Sequence, residues 1–261
     1  MKNKIVLITG ASSGIGEACA KIFGREGARL ILCARRHDRI EHLAKQLKKE
    51  YGSQVYTAKL DVRNRDAVKQ FVADLPEAWK SIDILLNNAG LASGLGKMHE
   101  NDINDWEEMI DTNVKGLLYL TRNVVPGMVD EKKAGHIINI GSIAGIYAYP
   151  NGGVYCGTKA AVRLISDGLR MDLVDTDIRV TNIQPGLAET EFSLVRFHGD
   201  EDKASGVYDG IEALSGWDIA EMALFAANRP PHVQICEITV TPTQQASAQV
   251  VFKRLNDKKE K

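Results

Sequence analysis

Short runs of apolar residues, many of them β-branched, alternate along this chain with longer segments in which apolar residues recur at helical spacing. Continuous apolar runs are typical of strands that are buried on both faces, as in parallel sheets. This pattern predicts seven strands, over residues 5–8, 28–34, 54–60, 82–86, 136–140, 178–183 and 234–240.

The segments between the strands predict helices. The predicted helices cover residues 17–23, 40–47, 109–118, 160–173 and 219–227. Pro126 and Gly127 are expected to end the third of them. Strands that alternate with helices indicate right-handed βαβ units. We therefore predict an α/β fold, a Rossmann-type doubly wound parallel sheet with helices on both faces, as a single domain over residues 1–252.

The stretch between Pro185 and Ser215 shows no sustained periodicity. A loop of this length in a compact domain is usually a lid or a disordered segment. Its apolar residues favour a lid, and they are Phe192, Val195, Phe197, Val207, Tyr208 and Ile211. We predict a substrate lid over residues 186–215 and a charged tail over residues 253–261.

Composition narrows the possible partners. The formal net charge is -1, which gives no reason to expect binding to nucleic acid or to an anionic membrane. The four cysteines and six histidines are scattered without metal-site spacing, so reduced thiols and no bound metal are expected. No apolar run reaches membrane-spanning length. We expect a cytoplasmic protein that acts on a small molecule.

Three glycines follow the first strand and lead into a helix-forming run. Glycines let the backbone turn sharply and approach a ligand closely, while the free N–H groups of a helix start favour an anion. This context predicts a dinucleotide phosphate site, and an ordinary strand-to-helix turn is the alternative. The predicted cofactor-binding residues here are Gly10, Ser12, Ser13, Gly14, Ile15 and Gly16.

The end of the second strand distinguishes between the two nicotinamide cofactors. In an NAD site an acidic residue at this position bonds the ribose 2′-hydroxyl. Here the position holds Arg35 and Arg36. Two guanidiniums suit a 2′-phosphate, which they can bond in a bidentate way. The sequence therefore predicts NADP, with a solvated basic turn as the alternative.

Tyr155 and Lys159 lie four residues apart, which places them on one face of a helix. A neighbouring positive charge favours the phenolate, so we expect Lys159 to lower the Tyr155 pKa. Ser142 follows the fifth strand, where its hydroxyl can bond a carbonyl oxygen. Asn113 lies on an apolar helix face, where a buried amide needs partners. A surface Tyr–Lys pair, a turn serine and a structural amide are the respective alternatives.

In order, these motifs resemble those of the short-chain dehydrogenase/reductase family over nearly the whole chain. The matching motifs are Thr9-Gly10-x-x-x-Gly14-x-Gly16, Asn87-Asn88-Ala89-Gly90, Asn113, Ser142, Tyr155-x-x-x-Lys159 and Pro185-Gly186. The resemblance implies that Tyr155 is the general acid/base and that Ser142 orients the substrate carbonyl. It also implies that Lys159 binds the nicotinamide ribose and that Asn113 holds a relay water.

The same resemblance assigns the rest of the cofactor site. Asp61 and Val62 frame the adenine. The segment Asn88, Ala89 and Gly90 lines the adenosine ribose. The nicotinamide end is held by residues between 185 and 190, namely Pro185, Gly186, Leu187 and Thr190.

A closer similarity covers residues 83–92 and 190–197, which resemble the NADP-dependent 3-hydroxy acid dehydrogenases. Those enzymes oxidise L-serine, L-allo-threonine and related acids at the 3-hydroxyl, and they are cytoplasmic homotetramers. The resemblance implies the same reaction, cofactor and assembly here. A 3-oxoacyl-carrier-protein reductase, a broad carbonyl reductase and, more remotely, a non-catalytic NADP-binding regulator are the alternatives.

A hydroxy acid carries a carboxylate that must lose water when a lid closes over it. An unpaired buried carboxylate is costly, so a cation should meet it. Arg196 lies in the lid between Val195 and Phe197, and its planar fork suits bidentate pairing with a carboxylate. We predict that Arg196 anchors the substrate. The alternative is a solvent-facing arginine paired with Asp200 or Glu201.

Overall fold

Seven parallel strands form one sheet in the order β3-β2-β1-β4-β5-β6-β7 in the computed structural model, which describes residues 1–254. The strands are β1 Ile5–Thr9, β2 Arg29–Ala34, β3 Val55–Lys59, β4 Ile84–Asn87, β5 His136–Ile140, β6 Arg179–Pro185 and β7 Glu237–Val240. The predicted α/β, doubly wound sheet is therefore confirmed. Residues 255–261 of the predicted charged tail lie outside the described residues.

The strands form because their apolar runs fill both faces of the sheet. Every residue of β1, β4 and β5 is buried. Leu7 of β1 pairs with Ile31 of β2 on one side and with Leu85 of β4 on the other. The strand order reverses at β1, and in such sheets the crevice at this point, outside the carboxyl ends of the strands, is where ligands bind.

Helices cover both faces of the sheet. They are α1 Gly14–Arg25, α2 His37–Tyr51, α3 Arg65–Ala73, α4 Glu77–Lys80, α5 Ile103–Ile110, α6 Leu117–Asp130, α7 Gly153–Asp172, α8 Phe192–Arg196, α9 Glu201–Gly206 and α10 Gly216–Ala227. Phe23 and Ile219 belong to the apolar core under α1 and α10, while Val68 and Leu120 belong to the core under α3 and α6. Within residues 1–254, no helix is long and apolar enough to cross a membrane.

Several helix boundaries differ from the sequence prediction. Pro126 does not end a helix, because it lies inside α6, which continues to Asp130. A proline removes one helical hydrogen bond, and the buried side chains of Val125 and Met128 on either side keep α6 packed on the sheet. The segment predicted as a lid is not irregular throughout, since it contains α8 and α9.

The start of α7 matters most for the site. The prediction begins this helix at residue 160, whereas the structure begins it at Gly153. Tyr155 therefore lies in the first helical turn, and Lys159 lies one turn further along the same face. This arrangement fixes the direction in which both side chains enter the crevice above β4 and β5.

Candidate active site

A cavity of about 560 Å³ lies at the carboxyl ends of the central strands. Its walls come from the loops after β1, β2, β3, β4, β5 and β6, together with the helix α8. Because the strands are parallel, these loops meet at one edge of the sheet. The cavity brings together all the predicted site residues except Gly16 and Asn113.

The glycine turn forms the end of the cavity next to β1. Gly10 has φ +65° and Gly14 has φ +55°, a backbone conformation that favours glycine. The Asn88 side chain holds the turn, since its Nδ2 donates to the carbonyl oxygens of Thr9 at 2.8 Å and Gly10 at 3.2 Å. A Cβ on Gly16 would collide with the Gly10 carbonyl oxygen and the Asn88 amide. Gly16 thus permits the close packing behind the turn, without lining the cavity.

The two arginines after β2 point to different partners. Arg36 Nε and Nη2 approach the Ser12 hydroxyl at 3.2 and 3.1 Å, and Nη2 also donates to Ser13 Oγ at 2.8 Å. Arg35 Nη1 lies 3.5 Å from a carboxylate oxygen of Glu108 on α5. A guanidinium beside two hydroxyls is a ready set of donors for a phosphate. The residues present therefore fit a dinucleotide with a 2′-phosphate, with Arg36 as the better-placed arginine.

The loop after β3 adds Asp61 and Val62 to the lining of the cavity. Arg63 Nη2 donates to Asp61 Oδ2 at 2.6 Å, and this hydrogen bond holds the pKa of the Asp61 carboxyl below its usual value. The carboxylate is therefore ionised at neutral pH and fixed in position.

Tyr155 is deeply buried, with 8% of its surface exposed. Its ring centre lies 5.6 Å from that of Phe192 on α8, and the Arg196 guanidinium carbon lies 5.1 Å from the same ring. Burial raises the pKa of Tyr155, and the charge of Arg196 is the largest opposing effect, followed among the lowering effects by the Ser142 hydroxyl. Tyr155 is therefore a neutral phenol at neutral pH.

The effect of Lys159 on the Tyr155 pKa differs from the effect that the sequence predicts. Its Nζ lies 6.0 Å from the centre of the Tyr155 ring and donates to the Ile140 carbonyl oxygen at 2.8 Å. Burial lowers the pKa of Lys159 to about 8. The expected lowering of the Tyr155 pKa is wrong for this arrangement, because burial of the phenol outweighs the charges around it.

Ser142 follows β5 at the edge of the sheet. Its Oγ accepts a hydrogen bond from the Ala144 N–H at 3.1 Å and donates to the Pro185 carbonyl oxygen at 3.4 Å. The second of these bonds is long, so the hydroxyl can turn toward a better acceptor in the cavity. Ser142 and Tyr155 thus present two O–H groups to the same space.

Asn113 lies behind the cavity wall, in a π-helical turn, Asp111–Gly116, that joins α5 to α6. Its Oδ1 accepts from the Leu91 N–H at 2.8 Å, while its Nδ2 donates to the Leu91 carbonyl at 2.8 Å and to Thr158 Oγ1 at 3.0 Å. Both amide hydrogens are used, so the side chain ties the loop after β4 to α7. These side-chain contacts are those of a positioning residue, and the relay water at Asn113 stays a prediction.

Arg196 ends α8 and turns into the cavity. Its Nη2 donates to Tyr149 Oη at 2.8 Å, and its guanidinium carbon lies 5.0 Å from the Phe192 ring centre. Its Nε is buried and has no hydrogen-bond partner within residues 1–254. Asp200 does not neutralise Arg196, because its carboxylate pairs with Lys203 at 2.8 Å. Within residues 1–254, Arg196 forms no ion pair with Asp200 or Glu201, and its guanidinium lines the cavity.

Sequence reasoning missed part of the wall. Tyr149 lies in the loop before α7, and Gln245 and Ala248 come from the segment after β7. Gln245 Oε1 accepts from the Leu187 N–H at 2.7 Å, which joins this segment to the base of the lid. None of these residues belongs to a motif, so only their position in the fold reveals them.

Comparisons with known proteins agree with this geometry. A sequence profile of the short chain dehydrogenase family matches residues 4–199. The NADP-dependent 3-hydroxy acid dehydrogenase YdfG of Salmonella typhi is 51% identical over 245 residues, which cover 94% of this chain and 97% of the relative. An NADP-dependent 3-hydroxy acid dehydrogenase of Schizosaccharomyces pombe is 44% identical over 255 residues, 97% of this chain and 98% of the relative.

The fold is also similar to that of a solved enzyme. The closed form of a serine dehydrogenase complexed with NADP⁺ matches with a TM-score of 0.89 and 47% identity. The match covers 96% of this chain and 100% of that one.

Proposed function

The chain belongs to the short-chain dehydrogenase family, and on that premise we propose that it moves a hydride between NADP and the 3-hydroxyl carbon of a small 3-hydroxy acid. Serine, allo-threonine and 3-hydroxypropionate represent the proposed substrate class. Family membership and relatives about half identical in sequence show that the chain is an NADP-dependent oxidoreductase that acts on hydroxyl groups.

The donors around Arg36 support its role at the 2′-phosphate of NADP. We expect Arg36→Gln to raise the KM for NADP at least tenfold while changing the KM for NAD less than twofold, because charge-assisted hydrogen bonds contribute roughly 1.5–3 kcal/mol. Arg35→Gln should have a smaller effect, since Arg35 is already near Glu108. Steady-state kinetics with both cofactors measures this. Equal losses with NADP and NAD would remove Arg36 from the 2′-phosphate site.

The catalytic roles follow from positions around Tyr155. Bound NADP supplies the carbon that gives or accepts the hydride. Tyr155 donates its phenolic proton to the carbonyl oxygen when an oxo acid is reduced, and it takes the proton back when the hydroxy acid is oxidised. The Ser142 hydroxyl donates a hydrogen bond to the same oxygen and fixes its direction. The guanidinium of Arg196 stabilises the phenolate while it exists, and the buried ammonium of Lys159, which lies one helical turn from Tyr155 and donates to the Ile140 carbonyl oxygen, is the proposed ligand of the nicotinamide ribose.

The position of Arg196 is the observation that supports a hydroxy acid as the substrate. Its guanidinium lies against the ring of the proposed acid/base, and its buried Nε has no partner within residues 1–254. The guanidinium lines the cavity, where a substrate carboxylate supplies the opposite charge and hydrogen-bond acceptors. Because Arg196 and Tyr155 face one cavity, a small acid held by Arg196 brings its 3-hydroxyl toward Tyr155.

The substrate carboxylate also distinguishes the proposed function from the alternative enzyme functions. A 3-oxoacyl-carrier-protein reductase acts on a thioester and a broad carbonyl reductase acts on neutral ketones, so neither needs a buried cation at the substrate. A pair of substrates that differ only in this charge, a free acid and its methyl ester, therefore tests the proposed function. The free acid should be preferred.

The homotetramer and the cytoplasmic location stay predictions. Several large apolar side chains on α5, α6 and α7 are exposed, and they include Ile103, Leu118, Leu164 and Met171. Such side chains are the kind that a neighbouring subunit covers.

A further inference from the structure

Glu191 links the lid to the far end of the cofactor crevice. Its Oε2 accepts from Arg36 Nη1 at 2.7 Å, and its Oε1 accepts from Arg39 Nη1 at 2.6 Å. Both arginines lie at the start of α2, whereas Glu191 directly precedes α8, which carries Phe192 and Arg196. One carboxylate thus connects the proposed substrate anchor to the proposed 2′-phosphate site.

Arg36 uses different edges of its guanidinium for these two neighbours. The edge formed by Nε and Nη2 faces the hydroxyls of Ser12 and Ser13. The remaining nitrogen, Nη1, faces Glu191. A phosphate pairs with a guanidinium through two parallel N–H groups, and the Nε and Nη2 edge offers such a pair. A 2′-phosphate that replaces the serine hydroxyls as acceptor on this edge therefore leaves the contact with Glu191 intact.

The charges favour this arrangement. Arg36 and Arg39 are two cations bound to the same carboxylate, and Glu191 offsets their mutual repulsion. The hydrogen bonds from both arginines keep the pKa of Glu191 below its usual value although partial burial alone would raise it. Glu191 is thus ionised at neutral pH and holds Arg36 with its Nε and Nη2 edge turned toward the glycine turn.

We propose that Glu191 is a positioning residue for NADP, one that holds Arg36 for the 2′-phosphate and ties occupation of that site to closure of the lid. The inference rests on the proposed role of Arg36, and it is independent of the proposed substrate. An arginine that is already held loses less side-chain freedom when its ligand binds. NAD lacks the 2′-phosphate and gains nothing from this positioning.

The coupling works in both directions. If Glu191 improves binding of the 2′-phosphate by some factor, the bound phosphate must favour the Glu191-bonded position of the lid by the same factor. The side chains of Arg36, Arg39 and Glu191 are 43%, 46% and 38% exposed, so their ion pairs add little to global stability. The effect should therefore appear in cofactor binding and lid motion, with little change in folding.

Calorimetric titration of the purified enzyme tests the binding side. We expect Glu191→Gln to raise the Kd for NADP and for adenosine 2′,5′-bisphosphate about three- to tenfold, a range typical for the loss of one or two partly exposed ion pairs. The Kd values for NAD and ADP should not change. Glu189→Gln is the matched control, since it removes the same charge from an exposed position two residues earlier. Arg39→Gln should act in the same direction as Glu191→Gln.

Hydrogen exchange of residues 187–200, the part of the predicted lid around Glu191 and α8, supplies a second readout that needs no turnover. In the wild-type enzyme, NADP should protect this segment more than saturating NAD does. In the Glu191→Gln variant the two cofactors should protect it equally. Tighter NADP binding by the variant would show that Glu191 competes with the phosphate, and unchanged binding would reduce the contact to a surface ion pair. Either result overturns the inference.

The Arg36→Gln variant tests the proposed role of Arg36 at the 2′-phosphate separately from the positioning role of Glu191. If that variant leaves the ratio of NADP to NAD affinity unchanged, Arg36 does not meet the 2′-phosphate and the underlying proposal fails. If the ratio falls in Arg36→Gln and stays at the wild-type value in Glu191→Gln, Arg36 keeps its role and only the positioning by Glu191 is wrong.

Discussion

Tyr155→Phe is expected to lower kcat by a factor of about 10² to 10⁴ or more while the protein still folds and binds NADP. The substitution removes one oxygen and keeps the ring that packs against Phe192 and under Arg196. General acid–base catalysis alone contributes about 10² to 10⁴-fold, so its loss sets the minimum effect. Single-turnover measurement of nicotinamide absorbance reports the hydride step directly.

The control for this prediction is the affinity of the Tyr155→Phe variant for NADP. Calorimetric titration should give the Tyr155→Phe variant an NADP affinity within about threefold of wild type, since the phenol oxygen is one contact among many in the cavity. A loss of kcat smaller than tenfold would assign the proton transfer to another group, for which the Ser142 hydroxyl is the neighbouring candidate.

Arg196→Met should lower kcat/KM for serine by about ten- to a hundredfold. The charge-assisted hydrogen bonds that it removes contribute roughly 1.5–3 kcal/mol. Methionine keeps an unbranched apolar stem beside Phe192, so the lid retains most of its packing. Because Arg196 also lowers the Tyr155 pKa, part of the loss will appear with every substrate. The ratio of kcat/KM for an acid to that for a neutral alcohol isolates the carboxylate contact.

A second lid cation provides the matched control. Lys203 lies in α9, is 68% exposed and pairs with Asp200. Lys203→Met should leave the ratio of acid to neutral substrate unchanged. If Arg196→Met lowers kcat/KM equally for charged and neutral substrates, Arg196 supports the lid and the carboxylate anchor lies elsewhere.

The strands were predictable because a parallel sheet buries both faces, which leaves continuous apolar runs such as residues 5–8 of β1 and 30–34 of β2. The helix α3 was missed although Val68, Phe71 and Val72 recur at helical spacing and pack on the core, because its nine residues make fewer than three turns. The lid helices α8 and α9 have five and six residues, which are too few for a helical period to show.

The site residues, likewise, were predictable only where a local sequence pattern marks them. Motif residues could be grouped from the sequence because the carboxyl ends of parallel strands meet at one edge. The contact of Glu191 with Arg36 joins residues 155 positions apart and has no local signal. The Tyr155 pKa shows a further limit. The sequence spacing places Lys159 one helical turn from Tyr155. The direction in which the Tyr155 pKa shifts depends on burial, which only the packed structure reveals.

The proposed specificity for free 3-hydroxy acids is tested most directly by comparing 3-hydroxypropionate with its methyl ester, with NADP⁺ as cofactor. The two substrates share the 3-hydroxyl and differ in the charge that Arg196 is proposed to meet. We predict that kcat/KM for the free acid exceeds that for the ester by at least about tenfold, the lower end of what a charge-assisted contact contributes. An ester or a carrier-linked thioester that reacts as well as the free acid would contradict the proposal and favour a 3-oxoacyl or broad carbonyl reductase.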